Sequence, residues 1–331
     1  MKFPKLFKNI SIRILILTIS LLILFVLIEF SLRLGAFNQL KSDSPTWIPP
    51  KYRDIDRLID LNNYKFSKGN PYGFTDIKRS KIKKEGTKRI AILGDSFVWG
   101  DGLPYDQTWS HKLSEMIRNH GYDNYEVMSC GRNGWSTKDE LNWLVDHGFE
   151  YEIDILILAW TANDLDFGNI PQRYPQWQNA SVFESIKKYF PYSFEFTSSS
   201  INNIIIKGSN DYGYINWERK LYDPGNLKRY KKLMGKFKHI VNTNNCRKII
   251  FMTPNNSSSR FRELFDNVTP IFDSLQLEYY NICPEVKNEF NGRSTRSLWA
   301  NHADGHPGQE MTSFYSRKMF DYLVGEKIIM H

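Results

Sequence analysis

The sequence predicts an α/β protein whose parallel sheet is covered on both faces by helices. Two observations carry that expectation. Short apolar runs alternate with amphipathic segments from Arg89 to Leu323, and strands alternating with helices build parallel sheets. The third run, Ile153 to Trp160, is almost wholly apolar, as a strand must be when both its faces are buried.

The elements follow in order. Arg89 to Leu93 reads as the first strand; it stops at Gly94 and is followed at once by Asp95 and Ser96. Trp109, Leu113, Met116 and Ile117 fall on one face of a helix ending near Gly121. Tyr125 to Ser129 reads as a second strand. Thr137 and Glu140 have the spacing of a capping box ahead of Leu141, Leu144 and Val145. After the third strand the pattern is less regular to about residue 222. Leu227, Tyr230, Met234, Phe237 and Val241 then mark a helix, Lys248 to Thr253 a fourth strand and Leu277 to Ile282 a fifth. Gln309 to Leu323 reads as the closing helix. There is no internal repeat.

Composition is that of an ordinary globular protein, with 41% hydrophobic and 24% charged residues among 331. The formal charge is +8, and Lys78, Arg79, Lys81, Lys83, Lys84, Lys88 and Arg89 crowd just before the first strand. A second basic run includes Lys228, Arg229, Lys231, Lys232, Lys236 and Lys238. Both read as solvated faces, and no nucleic-acid-binding fold accompanies them, so nucleic acid is not an expected partner. The three cysteines, Cys130, Cys246 and Cys283, have no paired ligand spacing and are odd in number. With no phosphate loop, dinucleotide fingerprint or His-Glu-x-x-His site, neither a cofactor nor a metal is expected.

Lys2, Lys5, Lys8 and Arg13 precede Ile14 to Ile28, a run broken only by Thr18 and Ser20. Extended from Ile12 to Leu34, it reaches the roughly 20 residues of a membrane span, provided Arg13, Glu29 and Arg33 snorkel to the interfaces. The competing reading is a cleaved signal peptide. Leu34-Gly35-Ala36 is a poor cleavage site and no cysteine follows for lipid attachment, so residues 1–37 read as an uncleaved anchor. The basic flank places the N-terminus in the cytoplasm and the rest in the periplasm or outside the cell. Residues 38–88, with Pro45, Pro49, Pro50 and Pro71, read as a stalk and lead-in, and residues 89–331 as the globular domain. Its stretch 166–222 is an aromatic-rich insertion, including Tyr174, Trp177, Phe183, Tyr189, Phe190, Tyr192, Phe194 and Trp217. These rings suit either packing of a small subdomain or, less favoured, a platform for sugar rings.

Four short blocks sit where ligands bind parallel sheets, beyond the carboxyl ends of the strands. They are Gly94-Asp95-Ser96-Phe97, Gly134 within Gly131-Arg132-Asn133-Gly134-Trp135, Asn163 within Thr161-Ala162-Asn163-Asp164, and Asp304-Gly305-His306. In this order they resemble the blocks of the SGNH or GDSL hydrolases, as a membrane-anchored bacterial-type member, over residues 89–323. The resemblance implies a three-layer α/β/α sandwich of flavodoxin-like type, with Ser96 as nucleophile, His306 as general base and Asp304 orienting it. It also implies an oxyanion hole made of the Ser96 and Gly134 backbone N–H groups and the Asn163 amide. Two departures stand out. Thr161 replaces the usual glycine of the third block, which would narrow or reshape the pocket. One residue rather than two separates Asp304 from His306. His302 is a decoy with no acid just before it. The reading is a serine esterase removing an O-acyl group, acetyl first among candidates, from a cell-envelope or extracellular glycan. The alternatives are an O-acyltransferase using the same residues and a non-catalytic glycan-binding module. The intact Ser96/His306 pair speaks against the last.

Overall fold

A computed structural model describes residues 5–34, 70–168, 177–208, 214–300 and 305–330. The chain divides into two compact units, Met1–Asp54 with Gln172–Gly213 and Ile55–Pro171 with Tyr214–His331. In chain order the helices and strands begin with α1 (Lys5–Arg33), β1 (Lys88–Gly94), α2 (Ser96–Trp99), α3 (Trp109–Asn119), β2 (Tyr125–Gly131), α4 (Thr137–Asp146) and β3 (Ile155–Trp160). There follow α5 (Glu184–Tyr189), α6 (Pro191–Lys207), α7 (Tyr214–Leu221), α8 (Pro224–Thr243) and β4 (Arg247–Met252). The chain closes with α9 (Ser259–Ser274), β5 (Tyr279–Asn281), α10 (Cys283–Glu289) and α11 (Gln309–Gly325).

All five strands of the second unit are parallel and run in the order β2-β1-β3-β4-β5. Because side chains alternate along a strand, each strand feeds two separate cores. Ile90, Ile92, Ile157 and Phe251 pack on one face with Leu113 of α3 and Phe314 and Met319 of α11. Ala91, Leu93, Leu158 and Ile250 pack on the other with Leu141 of α4, Phe237 of α8 and Phe265 of α9. This is the three-layer α/β/α sandwich that the alternating pattern predicts. The sequence pattern does not announce α9, which carries Pro270 inside it.

The amino ends of the strands are clamped by the basic run, which is not simply a solvated face. Arg89, 2% exposed, pairs with Glu126, as does Arg79, which also reaches Asp76. Lys83 pairs with Asp154 at 2.6 Å. Residues 70–88 therefore belong to the packed unit: Phe74 lies in the core, and Asp76 Oδ2 accepts from the Ser129 N–H. The three cysteines are free.

In the first unit, Ile12–Arg33 is the single helix among the described residues long and apolar enough to cross a membrane. Its last turns pack on α6. Phe25 meets Phe190 edge to face, and the Ser193 N–H donates to Glu29 Oε2 at 2.7 Å. Arg33 donates to the other Glu29 oxygen at 2.8 Å and stacks over Tyr192. Glu29 is thus buried rather than snorkelling, because an anion at a helix N-terminus satisfies unpaired N–H groups there. Trp177 and Phe194 both pack on Phe183. Trp217, by contrast, is buried in the core of the second unit.

The capping box of α4 sits one residue earlier than its sequence spacing suggests. The Ser136 N–H and hydroxyl both donate to Asp139 Oδ2 at 3.1 Å. Glu140 shares the core face with Leu141 and Leu144 and is wholly enclosed. Asp95 and Asp164 are enclosed near it. Burial pushes all three carboxyls up, Glu140 and Asp164 well above the usual range, and the charges of Asp164 and Asp95 add to the effect on Glu140. Neighbouring carboxyls taken out of water do not all ionise.

A raised folded-state value means that stability is fully present below the unfolded value of 4.5 and is lost as pH rises toward the folded one. Glu140→Gln removes that loss. Its melting temperature relative to the unsubstituted chain should therefore climb as pH rises from about 4.5 to 9, with the two nearly matched at acid pH. A difference that stays constant across that range would show that Glu140 is not a buried, proton-holding carboxyl.

Candidate active site

A strand order of 2-1-3-4-5 reverses direction between β1 and β3, and the crevice at such a switch point is where open α/β sheets bind ligands. Ser96 follows β1 and Asn163 follows β3, so both stand at that crevice. The turn out of β1 is tight. A Cβ on Gly94 would stand 2.3 Å from Val98 Cγ2, so only glycine lets the chain fold back into α2. Asp95 caps α2 by accepting the Phe97 N–H at 2.8 Å. Ser96 opens the helix, 9% exposed.

His306 reaches this serine across 210 residues of chain, with Nε2 2.8 Å from Ser96 Oγ. Its loop is held from several sides. The Ala300 N–H donates to the His306 carbonyl at 2.8 Å, Pro307 bridges Trp299, and the Asn255 amide donates to the Gly305 carbonyl. Phe97 packs its ring against the imidazole, with centroids 5.8 Å apart. Asn255, after β4, belongs to no block, and nothing in the sequence flags it. Asp304 and His302 lie outside the described residues.

The Asn163 amide donates to Asp95 Oδ2 at 3.1 Å. Its Oδ1 accepts from the Thr161 hydroxyl at 2.6 Å, and that hydroxyl also lies 3.3 Å from Asp95 Oδ2. Thr161 is 2% exposed. It does not narrow a pocket, as its replacement of glycine suggests from sequence; its side chain turns inward and fixes the rotamer of Asn163. Asp95 remains the anchor of the group, its carboxyl raised by burial against the opposing effect of these donors.

Gly134 is exposed, in a turn closed by the Trp135 N–H donating to the Arg132 carbonyl at 3.2 Å. Its φ is +77°, and a Cβ there would meet nothing within 4 Å. Glycine is required by the left-handed backbone of the turn's third position, not by crowding. The same loop is tied toward the histidine. Asn133 donates to Asp101 Oδ2 at 3.3 Å, and that oxygen lies 3.6 Å from His306 Nε2. Asp101, five residues past Ser96, is a carboxylate beside the ring that the motif reading misses. Among the described residues no group of His, Cys, Asp and Glu could hold a metal ion.

No family model matches the chain, and no curated protein matches it. Its fold is similar to that of the psychrotrophic esterase EstA from Pseudoalteromonas sp., at 15% identity and a TM-score of 0.45, over 73% of this chain and 100% of that one. The acetyl xylan esterase AlAXEase is similar at 14% identity and a TM-score of 0.45, over 71% and 99% of the two chains. A lipase/acylhydrolase from Enterococcus faecalis is similar at 11% identity and a TM-score of 0.46, over 72% and 97%. At such identities and scores the chemistry has to be argued from the site itself.

Thr161 offers the sharpest test of this geometry. Thr161→Val keeps the shape but removes the hydroxyl that holds Asn163, so turnover of p-nitrophenyl acetate should fall about tenfold in kcat, with KM within about twofold. Thr161→Ser should restore it. Unchanged kcat in Thr161→Val would mean that the amide needs no such support.

Proposed function

We propose that the chain is a membrane-anchored serine esterase that removes an O-acyl group, acetyl first among candidates, from a cell-envelope or extracellular glycan. The observation that carries this reading is the 2.8 Å contact between Ser96 Oγ and His306 Nε2 at the sheet's switch point, beside the tethered amide of Asn163. A serine hydroxyl becomes a good nucleophile only with a base in hydrogen-bond reach. In this scheme His306 Nε2 takes the Ser96 proton as Oγ attacks the acyl carbon. The tetrahedral oxyanion is met by the Ser96 and Gly134 N–H groups and the Asn163 amide, each such donor worth about 3–4 kcal/mol. Collapse breaks the ester C–O bond, and the leaving alcohol takes the proton from Nε2. Water, deprotonated by the same nitrogen, then releases the acid and regenerates Ser96. Asp304 is assigned the role of holding the imidazole tautomer and stabilising the imidazolium.

The anchor reading places residues after about 38 outside the cytoplasm, where envelope glycans are. It rests on the basic flank and the apolar length of Ile12–Arg33.

Two experiments test the assignment. Ser96→Ala should abolish hydrolysis of a short-chain ester and covalent labelling by a fluorophosphonate while leaving the melting temperature near that of the unsubstituted chain. Labelling that persists at another serine would overturn it. Asp304→Asn should lower kcat by about 10², with little change in KM, less than the roughly 10⁴ lost in serine proteases. If kcat stays within about twofold of the unsubstituted chain, the site works as a Ser96–His306 dyad.

A further inference from the structure

The segment from Trp177 to Gly208 is built inside out for a water-soluble subdomain. Its buried side chains are Ser193, Ser198, Ser199 and Asn202, and no large apolar residue among its described side chains is buried to that degree. Trp177, Phe183, Phe190 and Phe194 are half-buried, and other large apolar groups face outward: Val182 is 73% exposed, Ile204 72% and Tyr189 64%, with Ile186 and Ile201 also exposed. Water-soluble units bury apolar side chains and leave polar ones outside. The reverse arrangement, with polar groups bonded inward, is what a hydrocarbon surrounding demands. Trp177 Nε1 accordingly donates to Asn202 Oδ1 at 2.8 Å, and the Ser198 hydroxyl to the Glu195 carbonyl at 3.1 Å.

The contact with α1 supplies a depth. Ile12–Arg33 holds 22 residues, about 33 Å of helix, which matches the roughly 30 Å of a bilayer's apolar core. The Ser193 hydroxyl reaches the carbonyl of Phe25 at 3.3 Å, and Phe190 packs on the Phe25 ring. Phe25 lies about 12 Å along the helix before Arg33. The start of α6 thus meets the anchor well inside the end of the span. Glu29, an ionisable group at that depth, is 5% exposed and takes its hydrogen bonds from the Ser193 N–H and Arg33. Intramembrane carboxylates require such partners. Lys187 and Lys188, on the same stretch, rest over the Phe194 and Tyr189 rings, and long lysine side chains carry their charge from such a depth toward the headgroups.

We infer that residues 177–208 are embedded in the bilayer leaflet around the C-terminal half of α1, with Val182, Ile186, Ile201 and Ile204 against lipid acyl chains. The inference rests on the anchor part of the proposed function and is independent of the esterase chemistry. The occupant of this apolar face is lipid because the start of α6 packs on Phe25 and Glu29 within the span, where the neighbouring α1 side chains Leu21, Leu22 and Leu24 are each more than half exposed.

The test uses the full chain in vesicles of phosphatidylcholine and phosphatidylglycerol. An environment-sensitive fluorophore is placed, one site at a time, on Val182→Cys, Ile201→Cys, Ile204→Cys, Leu22→Cys and Met330→Cys in a Cys283→Ala background. Lipids brominated in the acyl chain should quench the labels at 182, 201 and 204 severalfold more than the label at 330, and aqueous iodide should quench them severalfold less. Iodide quenching at 201 and 204 equal to that at 330 would overturn the inference. So would shielding from both quenchers, which would mean that a protein surface covers the face. The label at 22 separates the two failures: if lipid does not quench it, the anchor reading itself falls and takes the embedded segment with it.

Discussion

Asp95 joins the ends of the two strands between which the sheet reverses direction. One oxygen takes the Phe97 N–H and so starts the short helix that carries Ser96; the other takes the Asn163 amide from the end of β3. One buried carboxyl therefore sets the spacing between the serine hydroxyl and the amide that stands beside it. Such a group is effective because it is enclosed: in low dielectric each of its hydrogen bonds is stronger than it would be in water. Enclosure also has a cost, since the same surroundings disfavour its charge. Thr161 eases that conflict by holding the amide from its other side, so the orientation of Asn163 does not depend on Asp95 alone.

The large features of this arrangement were legible in the sequence, and the reason is periodicity. Ile90 to Leu93 and Ile155 to Trp160 are apolar throughout because helices cover both faces. The short polar blocks then have to fall at one edge of a parallel sheet, which brings Ser96 and Asn163 together. What could not be read were contacts made by residues without periodic neighbours. Asn255, which secures the His306 loop through Gly305, lies in a run of polar loop residues. Asp101 lies in a turn between two glycines. Neither has a pattern that marks it.

Other misreadings came from spacing that two physical arrangements share. Ser136 with Asp139 and Thr137 with Glu140 both satisfy the capping-box rule, and only packing decides between them. The helix that buries Leu141 and Leu144 also buries Glu140, which leaves Asp139 to cap. Thr161 misled for a similar reason. A larger residue in place of glycine at a pocket suggests narrowing, but that presumes its side chain points toward the ligand. In Glu29 the sequence showed a charge near the end of an apolar helix, for which snorkelling is the default; the partner that buries it lies 164 residues away.

The lead-in before β1 also affects the fate of the sheet's outer strand. β2 has a neighbour on one side only, so its other side presents ladder groups that a strand from another molecule could capture. Asp76 accepts the Ser129 N–H at 3.1 Å, and Arg79 donates to the Val127 carbonyl at 2.8 Å. Two side chains thus occupy the positions that a sixth strand would fill. A fragment trimmed to begin at Lys88 would keep every strand and every block of the site, yet it would carry a bare sheet margin open to fibre-like stacking.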